Sequence, residues 1–194
     1  ENKLLRTKKG SMKIKNFKRQ QELINKLVNL CTLLSNCKES RIQKIEILKD
    51  YLKDNSNKLE NFDEPFPLPL DPTIIVTGII SEKANIFKSS LQPLFLIFKC
   101  QDGSTYPIIF KSGDDLRQDQ LIMQLITLMD KLLRRENLDL KLTKYKILAT
   151  APYNGMVQFI PSLSLASIIN KHGSILNYLK LISNNNNNYN NNNS

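Results

Sequence analysis

The sequence predicts an α+β fold, with two amphipathic helices leading into a small antiparallel sheet that has one long helix inserted between its third and fourth strands. Three observations predict it. Apolar residues recur at helical spacing over the first sixty positions, a proline-rich stretch follows, and beyond it β-branched runs flank an Asp-Gly pair and a second long helical pattern.

From Ile14 to Leu34, Phe17, Leu23, Ile24, Leu27, Val28, Leu30, Cys31 and Leu34 keep the period of a helix, and Ile42, Ile45, Leu48, Tyr51 and Leu52 repeat it. Ser35-Asn36 and Asp54 to Asn57 break the two helices, because these side chains compete for their own backbone. Pro65, Pro67, Pro69 and Pro72 then fix φ and remove donors, so residues 61–72 read as an extended connector between a helical segment (1–60) and the sheet-bearing body (73–183). Thr73–Ile80, Leu94–Lys99 and Thr105–Phe110 read as strands, the last two joined by a hairpin at Asp102-Gly103, where Gly accepts positive φ. Leu116–Arg134 sets Leu121, Ile122, Leu125, Ile126, Met129, Leu132 and Leu133 on one helical face. Tyr145–Thr150 and Met156–Ile160 predict another hairpin, with a loop around Asn154-Gly155, and Leu163–Ile169 turns helical again. His172 beside Gly173 suits a helix C-terminus. Residues 184–194 are almost pure asparagine, too polar to offset ordering entropy, and disorder is expected there.

The 194 residues suffice for one domain or one lobe of something larger, and with 41% hydrophobic residues the composition is globular. No apolar run approaches the roughly 20 residues of a membrane span, and the first residues lack the pattern of a secretory signal. Three cysteines and one histidine, in no ligand spacing, exclude a disulfide framework and a His/Cys zinc site, and no metal ligands are expected within the chain. The net charge of +10 is concentrated in residues 1–60, with 15 Lys or Arg against 7 Asp or Glu. Lys8, Lys9, Lys13, Lys15, Lys18 and Arg19 could attract anionic lipid, but a basic helical face is more simply solvated. No aromatics of a recognition module accompany them, so a nucleic-acid partner is not expected.

The chemically informative stretch is Phe110-Lys111-Ser112-Gly113-Asp114-Asp115-Leu116-Arg117-Gln118-Asp119, between a strand and the long helix. A strand-end lysine held by an acid at the start of the next helix can present its ammonium to a phosphate. On these residues alone the plainer reading is preferred, a strand-end lysine followed by acids that suit a helix N-terminus.

The decapeptide, however, resembles the K-x-G-D-D-L-R-Q-D motif of the phosphatidylinositol 3-kinase catalytic domain. Met129 to Thr143 and the connector Phe66-Pro67-Leu68-Pro69-Leu70-Asp71-Pro72 are similar to its class III, vacuolar-sorting type. The likeness covers roughly residues 60 to 180, with a weaker likeness over the N-terminal helices to those that precede the kinase lobe. It implies a protein-kinase-like N-lobe. Lys111 would be the ATP-phosphate lysine, Asp114 the acid that orients it, and Asp119 with Tyr145 would reach the inner pocket. Phe87 to Pro93 falls where the family has its phosphate-covering loop, with Lys88, Ser89 and Ser90 toward phosphate oxygens and Pro93 toward the base. Gln158, Phe159 and Ile160 match the hinge, whose backbone would hydrogen-bond adenine, with Val157 just before it and Ile79, Ile108 and Ile160 sandwiching the ring. Ile79 and Ile108 are equally well explained as core. Ser112, Lys144 and Val157 depart from the family's usual residues around the site.

The resemblance further implies ATP with Mg²⁺ or Mn²⁺, and a parent enzyme that phosphorylates the inositol 3-hydroxyl of phosphatidylinositol. The family's D-R-H-x-x-N and D-F-G motifs do not occur in these residues, so no catalytic residue is expected here and this stretch alone should show no turnover. The remaining C-lobe of the same chain, a regulatory kinase-like subunit and an autophagy adaptor are the implied partners, on endosomal or autophagic membranes facing the cytoplasm. The competing reading is a non-catalytic kinase-like scaffold or membrane-binding module.

Overall fold

The computed structural model describes the backbone of residues 8–191 and the side chains of residues 10–183. The side chains of Lys8 and Lys9 and residues 192–194 lie outside the described residues. Two compact units meet in sequence at Phe159 and Ile160.

In the first unit, α1 (Lys8–Asn36) and α2 (Arg41–Lys53) form an antiparallel hairpin. Leu23, Leu27, Leu30 and Leu34, spaced four, three and four apart, lie on one stripe of α1 and are all buried, as are Leu48 and Leu52 of α2. Ser40 starts α2 with a reciprocal capping box, its backbone N–H donating to Gln43 Oε1 at 3.0 Å while its hydroxyl accepts from the Gln43 N–H. Two residues expected in these stripes are exposed instead, Phe17 at 69% and Ile42 at 73%. Apart from Gly10, the first buried residue along α1 is Leu23. Ile42 lies six residues from Leu48, and at about 100° per residue it points away from the buried side.

The proline-rich connector is woven into the fold rather than spanning it freely. Phe66–Pro67 is a short strand, β1, antiparallel to β2 (Ile75–Ile79), and the Leu68 N–H donates to Ile74 O at 2.8 Å. Phe66, Leu68 and Leu70 are buried in the core between exposed or half-buried prolines. An edge strand is where proline, lacking a donor, costs the sheet least.

After a 3-10 turn at Ser81–Lys83 come β3 (Asn85–Ile86), β4 (Leu94–Cys100), β5 (Thr105–Ser112), α3 (Arg117–Arg135), β6 (Ile147–Ala151) and β7 (Asn154–Gln158). The strands are antiparallel in the order β1-β2-β4-β5-β7-β6, with β3 also pairing with β4. Gly103 closes the β4–β5 hairpin with φ of 83°. The second hairpin turns at Pro152-Tyr153 rather than at Asn154-Gly155, both of which belong to β7. Gly155 is needed in the strand itself, since a Cβ there would stand 2.5 Å from Leu148 O and 2.6 Å from Leu116 Cδ1. This close approach seats the buried Leu116 against the sheet and fixes where α3 begins.

Alternation sorts the sheet into two faces. Leu94, Leu96 and Phe98 of β4, Ile108 and Phe110 of β5, Val76 and Ile79 of β2 and Met156 of β7 form the core with the α1–α2 leucines. Phe95 and Ile97, Ile109 and Lys111, and Val157 lie on the opposite face.

The second unit contains α4 (Leu165–His172) and α5 (Ile175–Asn191), which pack together. Ser164 caps α4 by accepting from the Ser167 N–H, and Gly173, at φ 75°, ends it. His172 sits in the last turn, its ring 5.1 Å from that of Tyr178. The α5 backbone continues to Asn191, into the tract whose composition predicts disorder. Once a helix is nucleated by Ile175–Ile182, each further residue needs only the propagation step.

Candidate functional site

The segment from β5 to α3 divides its two acids between two tasks. Lys111, at the end of β5, donates from Nζ to Asp114 Oδ2 at 2.8 Å, with both side chains about two-thirds buried (29% and 35% exposed). Asp115 instead takes Arg117, accepting from Nε at 2.8 Å, Nη2 at 2.7 Å and the backbone N–H at 3.1 Å. The Arg117 guanidinium and N–H hold the Asp115 carboxyl down to about 2. The acid that tends the helix start and the acid that pairs with the lysine are thus adjacent but distinct. Gly113 makes the intervening turn possible. Its φ is 88°, its N–H donates to Tyr153 O at 2.7 Å, and an added Cβ would press on Leu91 at 3.3 Å.

That contact brings in the loop between β3 and β4. The Phe87 N–H donates to Pro93 O at 3.0 Å and closes its base, and Gln92 N–H donates to Ser89 O at 3.1 Å. Lys88, Ser89 and Ser90 are exposed, Pro93 is buried, and Gln92 holds a left-handed φ of 45°. Beneath the loop lies a cavity of about 400 Å³ bordered by Lys44, Ser90, Gln92, Ser112 and Gly113. Cys31 also borders it, and burial pushes its thiol up to about 12, so it is not a nucleophile.

Face assignment bears on two of the expected adenine contacts, Ile79 and Ile108, for which the core was the equal alternative. Ile79 and Ile108 have no exposed surface and project into the core, away from the face that carries Lys111. Ile109, two residues before Lys111, shares its face and stands between Phe95 and Val157 in register. The Phe95 ring packs edge-on against Phe159 at 4.8 Å and against Phe87 at 6.2 Å, so an aromatic row runs from the loop to the end of β7. Period-two counting back from Lys111 identifies Ile109 from sequence alone. Phe87 and Phe95 carry no such signal, because only the folded hairpin juxtaposes them.

Of the residues expected at the hinge, Gln158 N–H donates to Lys146 O at 2.8 Å and Phe159 N–H to Pro107 O at 3.1 Å, so both amides are committed to the sheet. Ile160 is the first residue of the second unit. Asp119, exposed in the first turn of α3, is not joined with Tyr145. Tyr145 lines a separate depression with Leu70, Met123, Thr127 and Ile147. Lys144, a departure from the family pattern, donates with Arg134 to the buried Asp130, whose carboxyl is held below its usual range by these two cations. This ties the loop after α3 back to the helix.

The basic N-terminal face is partly neutralised, since Lys15 and Arg19 both pair with Glu64. Among the described residues, no group of three or more His, Cys, Asp or Glu side chains gathers to hold a metal, and no helix is long and apolar enough to cross a membrane.

A curled antiparallel sheet with a lysine at the end of one strand, paired to an acid that leads into a long helix and overhung by a serine-bearing loop, defines the small lobe of a kinase-type fold. Residues 105–193 match the phosphatidylinositol 3- and 4-kinase family model. The chain is 52% identical over 162 residues to phosphatidylinositol 3-kinase pik3 of Schizosaccharomyces pombe, covering 83% of this chain and 20% of that protein. It is 48% identical over 162 residues to the nodule isoform of phosphatidylinositol 3-kinase of Glycine max, covering 84% and 20%. It is 46% identical over 162 residues to phosphatidylinositol 3-kinase VPS34 of Saccharomyces cerevisiae, covering 84% and 18%. Over most of its length the chain is similar to phosphatidylinositol 3-kinases, and it spans about a fifth of the length of the curated relatives it matches.

Proposed function

We propose that this chain is the ATP-binding lobe, with its preceding helices, of a phosphatidylinositol 3-kinase that transfers the γ-phosphate of ATP to the inositol 3-hydroxyl of phosphatidylinositol. In this reading residues 1–60 are the helical lead, 61–72 the connector, 73–183 the lobe and 184–194 a low-complexity tract.

The observation that carries the proposal is the Lys111–Asp114 pair, standing on the sheet face that also presents Ile109 and Val157, beside the loop of Ser89 and Ser90. Asp114 orients the lysine ammonium, which keeps two further donors for phosphate oxygens. The exposed hydroxyls of Ser89 and Ser90, with Lys88, suit the same phosphates from above. Ile109, Val157 and the Phe95–Phe159 pair offer an apolar bed for the purine, a role that passes to Ile109 from the core-facing Ile79 and Ile108. The residues fit the nucleotide. A divalent ion would neutralise charge between its β- and γ-phosphates. Its ligands, the group that takes the hydroxyl proton, and the regulatory subunit and adaptor at endosomal membranes are assigned to the rest of the protein and its complex.

The test is transfer of labelled phosphate from ATP into phosphatidylinositol vesicles by the protein that carries this chain. A 3-phosphorylated lipid lost in Lys111→Ala supports the proposal. Undiminished product in that variant, or no lipid product from the wild type, rejects it.

A further inference from the structure

The loop over the proposed phosphate site is gripped at both ends by a helix that takes no part in the site. The capping box at Ser40 fixes the start of α2, so Arg41 and Lys44 stand three residues apart on one side of its first turns. Arg41 donates from Nε to Ile86 O at 2.8 Å and from Nη2 to Asn85 Oδ1 at 3.0 Å, at the entrance to the loop. Lys44, only 7% exposed, donates from Nζ to Gln92 Oε1 at 3.1 Å, at its exit.

Two features make these bonds matter. The cavity of about 400 Å³ under Ser90 and Gln92 leaves part of that side of the loop without close packing. Gln92 also adopts a left-handed φ of 45°, a conformation that costs free energy in a residue with a Cβ and must be offset by something that holds it. The only polar partner of the Gln92 side chain given by the described residues is Lys44, and burying an ammonium is itself unfavourable unless it is bonded.

We infer that Arg41 and Lys44 are positioning residues that set the height of the Phe87–Pro93 loop over the nucleotide phosphates, and so couple the α1–α2 hairpin to phosphate binding. This rests on the proposed role of that loop. The hairpin is itself locked into the core through Leu48 and Leu52, which makes it a rigid support rather than a passive neighbour. Any displacement of α2 relative to the sheet would then be felt at Ser89 and Ser90 before it reached the apolar bed.

The test compares ATP with adenosine, which lacks phosphates, as ligands of the intact protein that carries this chain. Lys44→Met should weaken ATP about five- to tenfold, the worth of roughly one lost hydrogen bond, and leave adenosine unchanged. Amide exchange in 87–92 should accelerate, and Lys44→Arg should restore ATP affinity to within about twofold. Gln92→Asn, which shortens the acceptor while suiting the left-handed backbone, removes the same bond from the loop side should Lys44→Met fold poorly. Unchanged ATP affinity in both variants, or equal weakening of ATP and adenosine, overturns the inference. If Lys111→Ala also leaves ATP affinity unchanged, the nucleotide site itself is wrong. If Lys111→Ala weakens ATP and the α2 variants do not, only the clamp falls.

Discussion

Along α1 the leucines at 23, 27, 30 and 34 are at most 3% exposed, whereas along α3 Leu121, Leu125, Met129 and Leu132 are between 49% and 58% exposed. Both helices carry an apolar stripe of similar spacing, yet α1 spends its stripe on the core and α3 presents its stripe outward. Hydrophobic periodicity reports that a helix has an apolar side and says nothing of what covers that side. The α1–α2 hairpin fills the core face of the sheet. α3 attaches at the other end of the sheet, against β6, by different means. Leu116 sits in the space left by Gly155, Met123 is buried, and Gln120 Oε1 accepts from the Ala149 N–H at 2.8 Å. Asp130, buried beneath Arg134 and Lys144, holds the far end.

Substitutions sharpen this contrast. Leu27→Ala removes a fully buried side chain from the hairpin and should destabilise by about 2–5 kcal/mol, read as a lowered denaturant midpoint at unchanged slope. Gly155→Ala should cost about 1–3 kcal/mol, because the new methyl meets backbone at Leu148 that cannot yield, and it should loosen α3 selectively in amide exchange. Leu125→Gln, on the outward stripe, should change stability by no more than about 0.5 kcal/mol. A loss above about 2 kcal/mol there would mean that another part of the protein covers the stripe, and the contrast would dissolve.

The smallest effect lies on the surface of the hairpin. Lys15 and Arg19 hold the Glu64 carboxyl down to about 2, below its ordinary 4.5. A depressed carboxylate contributes stability that is fully present above its unfolded value and is lost as pH falls through its folded one. The wild type should therefore lose a small increment between about pH 4.5 and 2 that Glu64→Gln lacks, seen in midpoints measured against pH. The pair is exposed, so added salt should shrink the difference.

The helices α1, α2 and α3 and the longer strands were legible because each repeats its period several times, and the Asp102-Gly103 hairpin because glycine marks it, whereas α5, which runs into the asparagine tract, was not. β1 and β3, two residues each, are too short to show a period, and β1 hides among prolines that read as a linker. The Asn154-Gly155 pair carries a turn signal, but its glycine answers a steric need from Leu116, thirty-nine positions back, that no local pattern records. At the site, the lysine and its acids stand out as one contiguous motif. The apolar bed does not, since assigning Ile109 rather than Ile108 depends on which sheet face is core, and Phe87 and Phe95 meet only through folding.

The central claim is that the Lys111–Asp114 pair addresses ATP phosphates. The direct measurement is the affinity of Lys111→Met for ATP and for adenosine, with its thermal midpoint as a control for folding. The account predicts ATP binding weakened at least about tenfold, adenosine unchanged and the midpoint within a few degrees of wild type. ATP binding equal to wild type in a folded Lys111→Met protein would contradict it.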